Sequence, residues 1–318
     1  MRRIIIVLVL AVAAFGQGAF TRVPPDEAAK HIISKPSPAY PPLAEQARIQ
    51  GDVILEVTIN ESGAVSGIRL VSGHPMLVQA ALENVKRWKF HPFEVDGKAV
   101  TAQTFVMVTF GSPADRDADR AEILFQYEFW TTLDLAQADL SKADYSGAEG
   151  QLNKERDLLL PVGKFPHPQE RWRWATSMGN LAMAQRKDEE AEQYYKQALA
   201  VYDANKDAPE LAATLAYLGN LYAVEKRYDL ARDDAAQSIA IYERNFKNAG
   251  PGNPGLQQIY GRAIAYQSWM LSKLSRQQNN TSEVEKNCRT VLDFQAFLTP
   301  ADHDSFISIC EHGGPAHP

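Results

Sequence analysis

The sequence predicts two domains of different class: a small α+β domain in ββαβ order, with one antiparallel sheet and one helix, and behind it an all-α helical solenoid. Three observations carry that expectation. Apolar residues alternate with period two over residues 53–59 and again over 102–110, the pattern of strands with one buried face. Beyond Gly111-Ser112-Pro113-Ala114-Asp115, glycine and proline thin out while Ala, Leu, Tyr and Gln dominate. Within that second stretch Gly179 and Gly219 stand 40 residues apart in matching surroundings, which marks a repeated helical unit. A chain of 318 residues also exceeds one typical core.

The N-terminus comes first in order. Arg2 and Arg3 precede an apolar run of 12 residues, 4–15, and small residues follow at Gly16 and Ala19. This is the charged, apolar and small-residue order of a secretory signal, placed at residues 1–19. A bilayer span needs roughly 20 apolar residues, so export to the periplasm is the leading expectation and a short inner-membrane anchor facing the periplasm the alternative. Residues 20–35 read as a linker.

In the domain at residues 36–111, Val53, Leu55, Val57 and Ile59 share one strand face. Asn60-Glu61-Ser62-Gly63 is a hairpin turn in which glycine takes the positive φ, and a second strand covers about 65–71. Pro75 suits the first turn of a helix. Leu77, Ala81, Val85 and Trp88 then form one helical stripe, with Pro92 as its stop. Asp96-Gly97 turns the chain into a last strand, where Val106 and Val108 lie on one face and Gln103, Phe105, Met107 and Thr109 on the other.

Tyr40-Pro41, Gly51, Ser62-Gly63 and Trp88-x-Phe90-x-Pro92, in that order, resemble the C-terminal domain of the TonB family over under a quarter of the chain. The resemblance implies a module without chemistry, which captures an extended segment of an outer-membrane TonB-dependent transporter by strand addition. The lender would be the final strand, 101–110, through Gln103, Phe105, Met107 and Thr109, with help from the stretch before Tyr40. The competing expectation is that Phe105 and Met107 pack beneath the helical domain or a second copy. Energy-transducing members carry an anchor with polar residues and a long Pro-rich spacer. Neither is matched here, since the stretch from Val23 to Pro42 is too short for such a span at about 3.5 Å per residue.

The helical region, 118–300, holds two superimposable stretches. Met178-Gly179-Asn180-Leu181-Ala182 is followed by Ala191 and Ala198, and Leu218-Gly219-Asn220-Leu221-Tyr222 by Ala231 and Ser238. A degenerate copy has Ala136, Tyr145 and Ala148, and a further pair covers about 256–276 and 283–298. These units resemble tetratricopeptide repeats, and three to four pairs suffice for a continuous core. By that resemblance Asn180 and Asn220 would line a concave face that holds a second protein. The alternative is that this asparagine is simply common in the repeat.

Net charge is −6, with 22 basic against 30 acidic side chains in residues 112–318. That excludes a basic nucleic-acid surface. Cys288 and Cys310 would tie a mobile tail, 301–318, to the last helical segment if bridged, and two free thiols are the equal alternative. No Gly-x-Ser-x-Gly elbow, His-Glu-x-x-His or P-loop occurs. His31, His74, His91 and His167 read as solvated, and His303, Cys310, His312 and His317 as a tail without a metal site. The reading is a non-enzymatic adaptor with no cofactor. Its rivals are a membrane-anchored energy transducer and a structural envelope protein that forms homodimers.

Overall fold

The computed structural model describes residues 20–111, 116–159, 168–202, 207–250 and 253–311. Residues 1–19, where the signal was expected, and His167, His312 and His317 lie outside them. Two compact units divide the chain, the first running to Leu135 and the second starting at Ala136.

In the first unit, β3 (Gly51–Ile59) and β4 (Val65–Ser72) pair antiparallel. The turn between them is built by Asn60, whose Oδ1 accepts from the amides of Ser62 and Ala64, each at 3.0 Å. Gly63 sits at φ +78, and a Cβ there would lie 2.0 Å from the Phe90 carbonyl oxygen. That close approach explains why Ser62-Gly63 and Trp88-x-Phe90 travel together: the Phe90 amide donates to the Gly63 carbonyl at 2.9 Å.

Helix α3 (Pro75–Val85) opens with His74 as its cap, whose Nδ1 accepts from the Met76 amide. It stops at Val85 rather than at Pro92. Trp88 therefore lies past the helix end, yet with Leu77, Ala81 and Val85 it fills the core under Leu55 and Val57. Its indole donates to Asn84, and Asn84 donates to the Pro36 carbonyl, each at 2.8 Å. Asn84 thus holds the incoming chain on the helix.

The last strand, β8 (Ala102–Phe110), pairs with β3 in antiparallel register along its whole length. Residues 20–35 are not a linker. β1 (Thr21–Arg22) adds parallel to β8, giving the sheet order β1-β8-β3-β4. The chain then forms α1 (Pro25–Lys30) and β2 (Ile32–Ser34), which pairs with β5 (Lys89–Phe90). Val23 and Ala28 are core residues. His31 stacks on Phe93 at 4.5 Å instead of standing in solvent. α2 (Pro42–Gln46) and the hairpin of β6 (Phe93–Val95) and β7 (Lys98–Val100) complete the unit.

The face opposite α3 is covered too. Within the first unit, helix α4 (Arg116–Ser141) brings Asp134 to Arg22 at 2.5 Å and Trp130 over the Arg69 guanidinium at 4.8 Å. Glu56 on β3 accepts from Arg22 at 3.1 Å and from Arg69 at 2.7 Å. One buried carboxylate between two guanidiniums satisfies groups that would otherwise be costly to desolvate. The first domain thus runs past residue 111 to Leu135.

The second unit holds α5 (Tyr145–Leu159) and then the pairs α6 (Pro168–Ala184) with α7 (Asp188–Val201), α8 (Pro209–Val224) with α9 (Tyr228–Ala249), and α10 (Pro254–Gln277) with α11 (Thr281–Asp293). The turns into α5, α7, α9 and α11 share one geometry. Amides of Asp144, Lys187, Arg227 and Asn280 reach back to the carbonyls of Asp139, Ala182, Tyr222 and Ser275. The residue before each, Ala143, Arg186, Lys226 or Asn279, has φ between 56 and 63. This is the Schellman ending that consumes the orphan carbonyls of a helix.

The repeat glycines mark contact points. A Cβ on Gly179 would lie 2.4 Å from the Tyr195 ring, and one on Gly219 would lie 3.2 Å from the Ala231 carbonyl. Trp172 and Trp174 lie inside α6 and bridge between helices: Trp172 donates to Thr214 and Trp174 to the Leu152 carbonyl. The tail expected from residue 301 is instead α12 (Pro300–Glu311). Phe306 stacks on Trp269 at 4.4 Å, and Cys288 is bonded to Cys310.

Candidate peptide-binding edge

Main-chain direction along β8 follows from its two neighbours. The amides of Thr21 and Val23 donate to the carbonyls of Thr101 and Gln103, each at 2.9 Å. N–H and C=O of one strand residue point to the same side, and successive residues alternate. The odd residues of β8 therefore face away from β3.

β1 occupies this outer edge as far as Gln103. Beyond it, among the described residues, no hydrogen bond outside the β3 ladder reaches the main chain of Phe105, Met107 or Thr109. Residues 101–103 are consequently not available, and the edge expected over 101–110 is open over 105–109. The Gln103 side chain is also engaged, donating to Thr58 Oγ1 at 3.4 Å.

Side chains of this register behave differently from its main chain. Phe105 is 1 % exposed, and Met107 and Thr109 are half-buried. The Phe105 ring is therefore buried, and this strand position offers its main chain.

A groove of about 360 Å³ runs along the open stretch. Pro25 and Ala28 from α1, Lys35 to Pro38 from the following segment, Trp88, and Phe105 to Thr109 line it. Lys35 Nζ lies 4.6 Å from the Trp88 ring centroid, and burial pushes its pKa below the ordinary lysine value. The stretch before Tyr40 was expected at this edge, whereas β1 and α1 were not, because a two-residue parallel strand and a six-residue helix leave almost no periodic signal.

The asparagines of the helical unit separate. Asn180 Oδ1 accepts from the Tyr195 hydroxyl at 2.7 Å, so its amide ties α6 to α7. Asn220 is half-buried and makes no side-chain hydrogen bond among the described residues. Gly250-Pro251-Gly252-Asn253-Pro254-Gly255 spells the spacing of a dinucleotide loop, but it follows helix α9. The motif needs a preceding strand to aim the phosphate at the helix N-terminus. Groups of three or more metal-type ligands are absent among the described residues, and no described helix is long and apolar enough to cross a membrane.

A sheet with part of one edge open and a stack of helical pairs define a scaffold for binding other proteins. Residues 36–111 match the family model described as Gram-negative bacterial TonB protein C-terminal, and residues 173–244 match that of the tetratricopeptide repeat. The chain therefore carries a TonB C-terminal domain followed by tetratricopeptide repeats, and both are protein-interaction domains. Protein TonB of Xanthomonas campestris pv. campestris is 35% identical over 75 residues, 23% of this chain and 34% of its own length. Protein TonB of Vibrio cholerae is 32% identical over 81 residues, 25% of this chain and 33% of its own. Protein tonB2 of Pseudomonas aeruginosa is 38% identical over 80 residues, 24% of this chain and 30% of its own. The chain thus spans about a third of the length of these relatives. Among solved structures, BtubC from P. vanneervenii aligns with 64% of this chain and 86% of its own, at 12% identity and a TM-score of 0.45.

Proposed function

We propose that this protein is a non-enzymatic periplasmic adaptor. Its sheet domain takes an extended peptide of an outer-membrane TonB-dependent transporter as an added strand on β8, and its helical repeats hold a second protein. The observation that carries the reading is the row of outward main-chain groups at Phe105, Met107 and Thr109 beside a groove. An unpaired edge of this kind is satisfied by a foreign backbone, whose hydrogen bonds give affinity while pockets for alternate side chains give selectivity. β1 supports the reading from within the chain, because it already adds to the same edge of β8.

The test leaves the protein intact and alters the peptide. Short extended segments of such transporters are titrated against the full chain by calorimetry. They are used unmodified and with N-methyl groups on alternate residues. Methylation in one phase should weaken binding roughly tenfold or more, because it removes donors aimed at β8, and methylation in the other phase should have little effect. Equal sensitivity in both phases, or none, refutes strand addition.

A further inference from the structure

After its last pair of helices the second unit closes with a single helix, α12. One face of it, Phe306, Ile307 and Cys310, packs against the core of the repeats. Phe306 stacks on the Trp269 ring at 4.4 Å and lies 5.9 Å from the Tyr266 ring, while Asp302 accepts from Arg262 at 2.7 Å. α12 thus acts as a terminal cap, covering apolar surface of α10 that a further repeat would otherwise cover.

Three features make this cap separable from the repeats. Its 12 residues are too few for a helix to persist alone in water, so α12 is helical only while it is docked. The fit around it is imperfect: Trp269 Nε1, on the ring that Phe306 covers, and the amide of Asn287, next to Cys288, are buried donors without a hydrogen-bond partner among the described residues. Such donors oppose the docked state for as long as they stay covered. The chain ahead of α12 is anchored on its own account, because Gln258 donates to the Phe297 carbonyl at 2.8 Å and a Cβ on Gly261 would lie 2.5 Å from the Phe297 ring. Opening is thereby confined to residues 298–311, and Cys310 pins the far end of that segment to Cys288.

We infer that the Cys288–Cys310 bond is a reducible latch: oxidised, it holds α12 over Trp269 and Tyr266, and reduced, it lets α12 leave and opens that aromatic surface. The bond bridges 22 positions, and closing a loop of that size restricts the detached segment far more than the docked one. Cys310 is half-buried and Cys288 buried, so an external dithiol meets the Cys310 sulfur first. Its thiolate attacks that sulfur, the S–S bond breaks, and Cys288 leaves as a thiolate that takes up a proton. The second thiol of the reagent then closes on the mixed disulfide and releases Cys310 as a thiol. The reagent ends as its own disulfide, and the protein has gained two electrons and two protons.

The test uses the full chain, oxidised or treated with dithiothreitol, with alkylation and intact mass counting the thiols. On reduction, hydrogen exchange over residues 300–311 should quicken roughly a hundredfold, while residues 168–249 keep their protection. Hydroxyl-radical labelling of Trp269 should rise in parallel. Cys310→Ser should show the loosened α12 without reductant and no further response to it, and reoxidation should restore protection in the wild-type chain alone. Unchanged exchange over α12, or unchanged labelling of Trp269, once both thiols have formed overturns the latch, since Phe306 and Arg262 would then hold the cap unaided. Equal loosening of 168–249 and 300–311 overturns it as well, because the bond would be a staple of the whole stack. So does a bond that resists the reagent in the folded protein.

Discussion

At the scale of single residues, burial and edge geometry divide the work along β8. Phe105 offers its main chain to the groove, but its ring is core, so truncating it would act on stability, by about 3 to 5 kcal/mol for a buried aromatic, rather than report on binding. A clearer residue-scale signal lies in Asp234 on α9. Burial, with help from the neighbouring Asp233 carboxylate, raises its pKa from 3.8 to about 6. The folded state therefore binds the proton more tightly than the unfolded chain. The group's penalty is fully present above about pH 6, and is relieved as pH falls toward 4. Asp234→Asn should thus raise the urea midpoint at pH 7.5, and that gain should shrink toward zero at pH 4. A gain that is constant with pH would show that charge is not the cause. Glu192 has the opposite sign: hydrogen bonds from Arg227 and Lys196 hold it at about 2, so its contribution is present above the normal glutamate range and lost as pH drops below it. Its partners Arg227 and Lys196 are exposed, so solvent screens the pairs and the contribution is small.

At the scale of elements, the four interhelical turns show what a sequence discloses and what it conceals. The repeated glycines at 179 and 219 were visible because each sits at a close helix approach, where a Cβ would collide with the Tyr195 ring at 179 and crowd the Ala231 carbonyl at 219. The turns themselves were not, because the left-handed position is filled by Ala143, Arg186, Lys226 and Asn279 instead of the glycine that signals it. Tertiary packing on both sides over-determines those conformations, so local propensity is overruled. The strain is removable. Lys226→Gly should stabilise the protein by roughly 0.5 kcal/mol, the relief of the left-handed penalty less the extra freedom glycine gives the unfolded chain. Denaturant unfolding with an unchanged slope measures it, and a destabilised variant would mean that the Lys226 side chain matters more than its backbone. The sheet gave up its central elements for the opposite reason. β3 and β8 are long and alternate cleanly, whereas β1 is two residues long and depends on Arg22 reaching Glu56 and Asp134, partners 34 and 112 residues away.

For the whole molecule, the change of composition at Gly111 was read as a domain boundary, and the physics of the sheet places it later. A sheet has two faces, and α3 covers one. Glu56, Phe105 and Arg69 on the other face would meet water if the domain ended at residue 111, and the first turns of α4 up to Leu135 supply the cover through Asp134 and Trp130. The start shifts as well, because Arg22 completes the ion cluster and Val23 the core. These additions were illegible because the helix carries no strand-like signal and its partners are far away in sequence. Two fragments separate the alternatives. Residues 20–141 should unfold cooperatively with a sheet-type circular dichroism spectrum. Residues 36–111, the span that matches the TonB family, should unfold at a clearly lower temperature or expose apolar surface to a hydrophobic dye, since losing one side of a buried ion pair alone costs about 3 to 5 kcal/mol. Arg22→Ala in the longer fragment should reproduce much of that loss, through the uncompensated Glu56 carboxylate. Equal melting of the two fragments would place the boundary back at Gly111 and reduce α4 to a linker helix.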